Sequence, residues 1–255
     1  MKYLKQFLFF VYHQAMSCIF PVSIFLTLAV SKVIHIPFLP RYDFILLSCI
    51  FIQWFMVRSN LESMDELKVI FVFHLIGLVL ELYKVNIGSW SYPEEAYTKI
   101  LGVPLYSGFM YASVASYMCQ AWRRLKLTLI YWPNRKMVWG LGVIIYVNFF
   151  TNYVLPDIRW ILIGLLFILF YRSKVLFNLM NQVYRMPVTL SFFLIGFFIW
   201  IAENISTFLG AWQYPNQSNF WQLVHFSKIT SWFLLVVITF MIISELKYVK
   251  EQLQT

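Results

Sequence analysis

Long apolar runs separated by short polar stretches dominate this chain, and the runs have the length of a bilayer crossing. A helix needs about 20 predominantly apolar residues, with a range of about 17 to 25, to span the hydrocarbon core. The pattern predicts such helices near 17–35, 42–57, 67–84 and 103–122, then near 137–155, 158–172, 187–209 and 226–244. The run at 158–172 is short, and only Pro156-Asp157 separates it from its predecessor, so these two are expected to form the arms of a tight hairpin. Lys2 to Gln14 precedes the first run and is expected along the inner membrane surface. No small-x-small cleavage pattern follows it, so it reads as a retained segment. The expected fold class is all-α: a polytopic membrane helical bundle of about eight transmembrane helices, one domain over 1–255.

Composition sharpens this class. Hydrophobic residues make up 61% of the chain and charged residues only 12%, about half the charged share of an ordinary soluble domain. The net charge of +9 would raise the question of nucleic acid in a soluble protein. Here the basic residues lie between apolar runs and act as topology signals, so no nucleic-acid partner is expected. With the N-terminus inside, fourteen of the 20 Lys and Arg fall on the cytoplasmic side; Lys32, Arg41, Lys84, Lys99, Arg159 and Lys228 fall outside. Both termini cytoplasmic requires an even number of spans and favours eight over seven. The expected location is the inner membrane of a bacterial cell.

The chain also repeats itself. Glu81 opens a run ending in Gly88-Ser89-Trp90-Ser91-Tyr92-Pro93, and Glu203 opens one ending in Gly210-Ala211-Trp212-Gln213-Tyr214-Pro215. Five identities recur at a fixed offset of 122 residues. The offset joins the outer ends of spans three and seven, so the two halves share one orientation. Two parallel four-helix pseudo-repeats are expected, 1–130 and 131–255, related by an axis near the membrane normal. Parallel repeats of this kind occur among transporters.

An ionisable side chain within a span is costly and points to function. Glu81 and Glu203 occupy equivalent places near the outer ends of their spans and are the candidate catalytic acids. His74, seven residues before Glu81, sits two turns away on the same helical face and joins them. Trp90, Tyr92, Trp212 and Tyr214 are candidate substrate-binding rings, with Asn148, Asn152 and Asn204 supplying amides at similar depth. Against this stand structural readings. Aromatic belts are ordinary at membrane interfaces, buried His and Asn often join helices, and Lys84 could simply pair with Glu81. Repetition of a costly carboxyl favours function for the two glutamates.

Several chemistries are excluded. Cys18, Cys49 and Cys119 show no metal-ligand spacing and no disulfide framework. The histidines at 13, 35, 74 and 225 fall on different segments, and there is no phosphate-cradling loop, HExxH or nucleophile elbow. Neither a metal nor a cofactor is expected.

The run from Glu81 to Met110, with Gly-Ser-Trp-Ser-Tyr-Pro-Glu and then Gly-Val-Pro-Leu-Tyr-Ser-Gly-Phe-Met-Tyr, resembles a bacterial multi-pass family catalogued as domain of unknown function 817, the YoaT-like proteins. The resemblance covers nearly the whole chain and implies location without activity. More distantly, Gly-x-Trp-x-Tyr followed by Gly-Val-Pro is similar to membrane carotenoid cyclases and hydratases. That likeness implies protonation of a polyene by a carboxylic acid, with Glu81 and Glu203 as the acids. The cyclase-type Pro-x-Glu-Glu pattern is missing where this chain has Pro104-Leu105-Tyr106-Ser107. The expected function is acid-catalysed modification of a polyprenoid, carotenoid-like or other apolar lipid near the outer leaflet, with membrane lipid as the partner. The alternative is a small-solute or lipid transporter with parallel internal repeats; a third reading is an accessory protein whose glutamates pin helices.

Overall fold

A computed structural model describes residues 2–253. The side chains of Lys2 and of the residues beyond Glu245, among them Lys247 and Lys250 of the cytoplasmic charge count, lie outside the described residues. The chain is mostly helical. Its helices are α1 Lys2–Ser17, α2 Ile19–Val33, α3 Arg41–Arg58, α4 Met64–Asn86, α5 Ser107–Leu125, α6 Arg135–Thr151, α7 Arg159–Phe170, α8 Val188–Phe208 and α9 Lys228–Leu253. From α2 onward each helix falls on one predicted apolar run.

Three of them, Met64–Asn86, Val188–Phe208 and Lys228–Glu245, are long and apolar enough to cross a membrane alone. The pair Tyr3–Ser17 and Ile19–Val33, bent by 60°, passes the same test jointly. The other helices fall short for visible reasons. α3 carries Arg41, Asp43 and Arg58, and α5 ends on Arg123 and Arg124. α7 has 12 residues, about 18 Å at 1.5 Å per residue, against a hydrocarbon core of about 30 Å.

The all-α expectation needs correction in the connections. β1 Lys99–Ile100 pairs with β2 Val103–Pro104, and β3 Thr128–Ile130, β4 Lys174–Leu179 and β5 Gln182–Pro187 form an antiparallel sheet in the order β3-β4-β5. The β4–β5 hairpin replaces what reads as a plain loop. Met180 and Asn181 both take positive φ, 48° and 66°, the conformation that a two-residue hairpin turn requires.

The helices fall into two compact units: Met16–Gln120 with Ala202–Val224, and Met1–Ala15 with Ala121–Ile201 and His225–Thr255. The core of the first unit joins Phe20, Ile24 and Leu28 of α2 to Tyr42, Ile45, Leu46, Cys49 and Met56 of α3, with Tyr92, Val103, Tyr106 and Ala211 from the connections. α4 begins with a capping box: Ser63 Oγ accepts from Glu66 N at 3.2 Å, and Glu66 Oε2 accepts from Ser63 N at 2.9 Å. Its far end closes on Gly88 at φ 73°, with Gly88 N donating to Val85 O at 3.0 Å and Ser89 N to Lys84 O at 2.9 Å. α8 closes identically 122 residues later. Gly210 has φ 71°, its N–H donates to Thr207 O at 3.0 Å, and Ala211 N donates to Ser206 O at 2.9 Å. Both are Schellman closures, which need a residue without a Cβ penalty in the left-handed region.

In the second unit, rings from α7, α8 and α9 meet: Phe170 against Phe192 at 5.7 Å and Phe192 against Phe240 at 5.2 Å between centroids. α6 packs on α9 where Gly142 faces the end of Met241. The tight α6–α7 connection is fixed by Asp157. Its Oδ1 accepts from Asn148 Nδ2 at 3.2 Å and Arg159 N at 3.0 Å, and its Oδ2 accepts from Arg159 Nε at 2.5 Å.

Burial alone would raise the Asp157 carboxyl, but the bonds from Arg159 and Asn148 and the guanidinium charge outweigh it and hold the group below the usual aspartate range. A lowered folded value adds stability above the unfolded value of about 3.9, and that stability disappears as pH falls through the folded value. Asp157→Asn is therefore expected to destabilise the detergent-solubilised protein at pH 7 by about 1 kcal/mol or less, because the group is partly exposed. Thermal unfolding of both proteins at pH 7 and pH 3 checks this: the gap is expected to narrow at pH 3, and a constant gap refutes the assignment.

Candidate functional site

Glu81 and Glu203, predicted from the repeat, both lie in the first unit, and both are buried, at 5% and 3% exposure. The Schellman closure after α4 turns the chain back on itself, so residues nine and eleven positions on return to the carboxyl they follow. Trp90 Nε1 donates to Glu81 Oε2 at 2.7 Å and Tyr92 OH donates to the same oxygen at 2.8 Å. Tyr111, from α5, donates to Oε1 at 2.8 Å. After α8 the same reversal brings Tyr214 OH to Glu203 Oε1 at 2.6 Å.

The two motifs also join each other. Ser91 and Gln213, the middle residues of the two Trp-x-Tyr triplets, form an antiparallel bridge, each N–H donating to the other's carbonyl at 2.9 Å. Ser91 and Gln213 are themselves 122 apart, so the bridge pairs like with like, as a local two-fold axis would. Trp90 meets the edge of Tyr214 at 6.0 Å between centroids. The two carboxyls are near enough to sense each other's charge.

Burial, and after it the neighbouring glutamate, pushes the phenols of Tyr92 and Tyr214 well above the ordinary tyrosine range. Both stay protonated, and so able to donate, at any physiological pH. Removing such carboxyls from water costs several kcal/mol unless they are paired or hydrogen-bonded. Glu81 meets that cost with three neutral donors, and the pairing with Lys84 considered from the sequence does not form.

Cations act one step away. Arg41 donates to Gly210 O at 3.0 Å and to Leu209 O, and pairs with Glu94; Lys32 Nζ donates to Phe208 O at 3.0 Å. These charges sit on the carbonyl end of α8, where the helix dipole favours them. Asp43 accepts from Tyr97 N at 2.7 Å and Thr98 N at 3.0 Å and holds the following loop.

The remaining predicted residues play other parts. His74 is half-buried, with its ring edge against Phe109 at 4.6 Å, its Nδ1 beside Gly108, and no hydrogen bond to Glu81. Asn204 Oδ1 accepts from Val224 N at 2.8 Å and pins the loop after Tyr214. Asn148 and Asn152 belong to the second unit. Asn148 holds the α6–α7 connection, and Asn152 caps α6 through its backbone N–H, which donates to Asn148 O at 3.0 Å.

Sequence reasoning passed over two features. Tyr111 reaches Glu81 from another helix, and the only hint was Gly77, one turn before Glu81. Glu62, 2% exposed, accepts from Gln53 Nε2 and Ser116 Oγ, while Gln120 Nε2 donates to Leu61 O at 2.6 Å. Ser116 and Gln120, four apart on α5, were the available signal for this buried polar cluster. Among the described residues no group of three or more His, Cys, Asp or Glu could hold a metal ion.

Gly77 is what lets Tyr111 cross α4. A Cβ at that position would stand 2.4 Å from Tyr111 Cδ2 and 2.8 Å from its Cβ. Gly77→Ala is expected to push the phenol off Glu81, and Tyr111→Phe to cost about 1–3 kcal/mol by leaving the buried Oε1 without its donor. If the clash acts through that bond, the double variant is little less stable than Gly77→Ala alone. Thermal unfolding of the three variants in detergent decides it, and additive losses would show two independent effects.

The family described as "Protein of unknown function (DUF817)" matches residues 6–240. The chain is 59% identical over 255 residues, 100% of its own length and 97% of the relative's, to "Uncharacterized protein YoaT" of Bacillus subtilis (strain 168). No solved structure matches. The chain belongs to the DUF817 family of proteins of unknown function.

Proposed function

We propose that the Glu81–Glu203 site manages positive charge at the edge of a membrane, and that the protein is an enzyme acting by acid catalysis on a polyprenoid or similarly apolar lipid. The observation that carries this reading is Glu81: a buried carboxyl among aromatic rings, held by three neutral donors and by no cation. A proton passed from one of the two glutamic acids to an olefinic carbon forms a C–H bond with the π pair and leaves the adjacent carbon cationic. The carboxylate so formed, its partner glutamate and the faces of Trp90, Tyr92 and Tyr214 stabilise that charge. Loss of a proton from the neighbouring carbon returns it to the carboxylate and restores the site.

The setting for this chemistry is a chain of about eight spans in the bacterial inner membrane, both termini cytoplasmic, with the bilayer thinned locally at the short α7 arm. It is built from two parallel four-helix repeats, 1–130 and 131–255. Eight helices on the eight predicted runs, the bias of Lys and Arg, and the like-with-like bridge of Ser91 and Gln213 support this arrangement. The two glutamates then lie near the outer leaflet. A second reading, a small-solute or lipid transporter, draws on the buried Glu62–Gln53–Ser116 cluster at the opposite end of α4.

Extracted lipids and pigments are compared by mass spectrometry from cells lacking the protein, expressing it, or expressing Glu81→Gln with Glu203→Gln. Loss of general-acid catalysis removes about 10²–10⁴ in rate, so a lipid that tracks the intact protein is expected to vanish in the double variant. Identical profiles in the three strains would remove the enzyme reading and make solute uptake the next measurement.

A further inference from the structure

The second unit carries a helix whose polarity is turned inside out. In α1, Gln6 is only 4% exposed, while Leu4, Phe7, Leu8 and Val11 are 62%, 60%, 56% and 44% exposed. The inward amide is bound. Gln6 Nε2 donates to Gln182 Oε1 at 2.7 Å and Tyr184 OH donates to Gln6 Oε1 at 2.8 Å, both partners on β5. Phe10 packs beside Phe177 of β4 at 5.7 Å between centroids.

The sheet fixes how deep this helix can sit. β5 is an edge strand of an open three-stranded sheet, and an open edge does not survive in hydrocarbon because its backbone groups go unsatisfied. The sheet therefore lies at or outside the headgroup layer, and Gln6 ties α1 to the same level. At 16 residues, α1 is about 24 Å long, and the 60° bend between it and α2 keeps it from continuing that helix in a straight line. Its outward apolar face still needs a cover, since exposed apolar patches of this kind are rare in water.

Charge identifies the cover. Lys5 lies on α1 and Arg185 on β5, both exposed. The described carboxylates of this unit are already engaged, Asp157 by Arg159 and Glu245 by Arg135. We infer that α1 lies in the plane of the inner leaflet, sunk to its apolar face, and that Lys5 and Arg185 bind the headgroups of anionic phospholipids. This rests on the membrane reading of the chain and is independent of the chemistry at Glu81 and Glu203.

The test uses the full chain in vesicles of phosphatidylcholine with or without phosphatidylglycerol. In a background with Cys18, Cys49 and Cys119 changed to Ala, Phe7→Cys is labelled with an environment-sensitive fluorophore. The label is expected to be quenched by a nitroxide near the top of the acyl chain, much less by one near the chain end, and little by aqueous iodide. Quenching by iodide without lipid quenching overturns the proposal by placing the face in water. Protection from every quencher also overturns it, because a second protein copy would then cover the face. Native mass spectrometry of the purified protein reads the headgroup preference. Lys5→Glu and Arg185→Glu are each expected to lower retained phosphatidylglycerol relative to phosphatidylcholine by roughly five-fold. Equal retention of the two lipids by the unmodified protein refutes the anionic preference. Neither readout depends on any lipid product, so its failure is separable from failure of the acid-catalysis reading.

Discussion

Two carboxyl groups withdrawn from water at the ends of α4 and α8 are the constraint that the first unit is arranged around. A buried carboxyl must find donors, and the nearest polar groups along an apolar helix are other helices' backbones, already spent. The solution here is local. Each helix stops on a glycine in the left-handed region and the chain reverses, returning a phenol to the carboxyl eleven residues on, joined after α4 by the Trp90 indole. Gly88 and Gly210 thus do more than end helices: they set the distance at which Tyr92 and Tyr214 meet their glutamates.

The two reversals then need each other. Leaving a turn, each motif runs extended with its backbone groups uncommitted, and Ser91 and Gln213 satisfy one another. That bridge places Trp90 beside Tyr214 and joins two local solutions into one site. Tyr106 reinforces it by donating to Ala211 O, and Arg41 with Lys32 holds the carbonyl end of α8. Cations are thus spent on backbone carbonyls and on Glu94, while Glu81 receives neutral donors.

Helix positions were legible in the sequence because hydropathy over about 20 residues averages out local detail, and all eight predicted runs became helices. Which of those helices meet the requirement for a span by themselves was less legible: α3 and α7 look apolar in outline, yet α3 carries three charges and α7 has only 12 residues. The sequence named Glu81, Trp90 and Tyr92 without pairing them; the turn after α4 is what converts their spacing into contact. His74 stands apart from Glu81 for the opposite reason. Sharing a helical face puts it two turns, about 10 Å, from Glu81, and the close approach of Gly108 draws its ring toward α5 instead. Tyr111 and the Glu62 cluster depend on contacts between helices, which no spacing along one helix encodes. The β4–β5 hairpin was hidden among the charges of a connecting loop, since its six-residue strands are too short to show alternation against so apolar a background.

The choice of neutral donors for Glu81 bears on function. An arginine or lysine in contact would satisfy the carboxyl by itself and leave nothing for an incoming positive charge to gain. Indole and phenol groups fix the carboxyl's position while contributing no net charge, and their π faces are themselves attractive to cations. Helix-pinning alone would be served as well by an amide at this position, at lower desolvation cost than a carboxyl. A carboxyl stands at both repeats, Glu81 with an indole and two phenols and Glu203 with the phenol of Tyr214, and the proposed handling of positive charge rests on that recurrence.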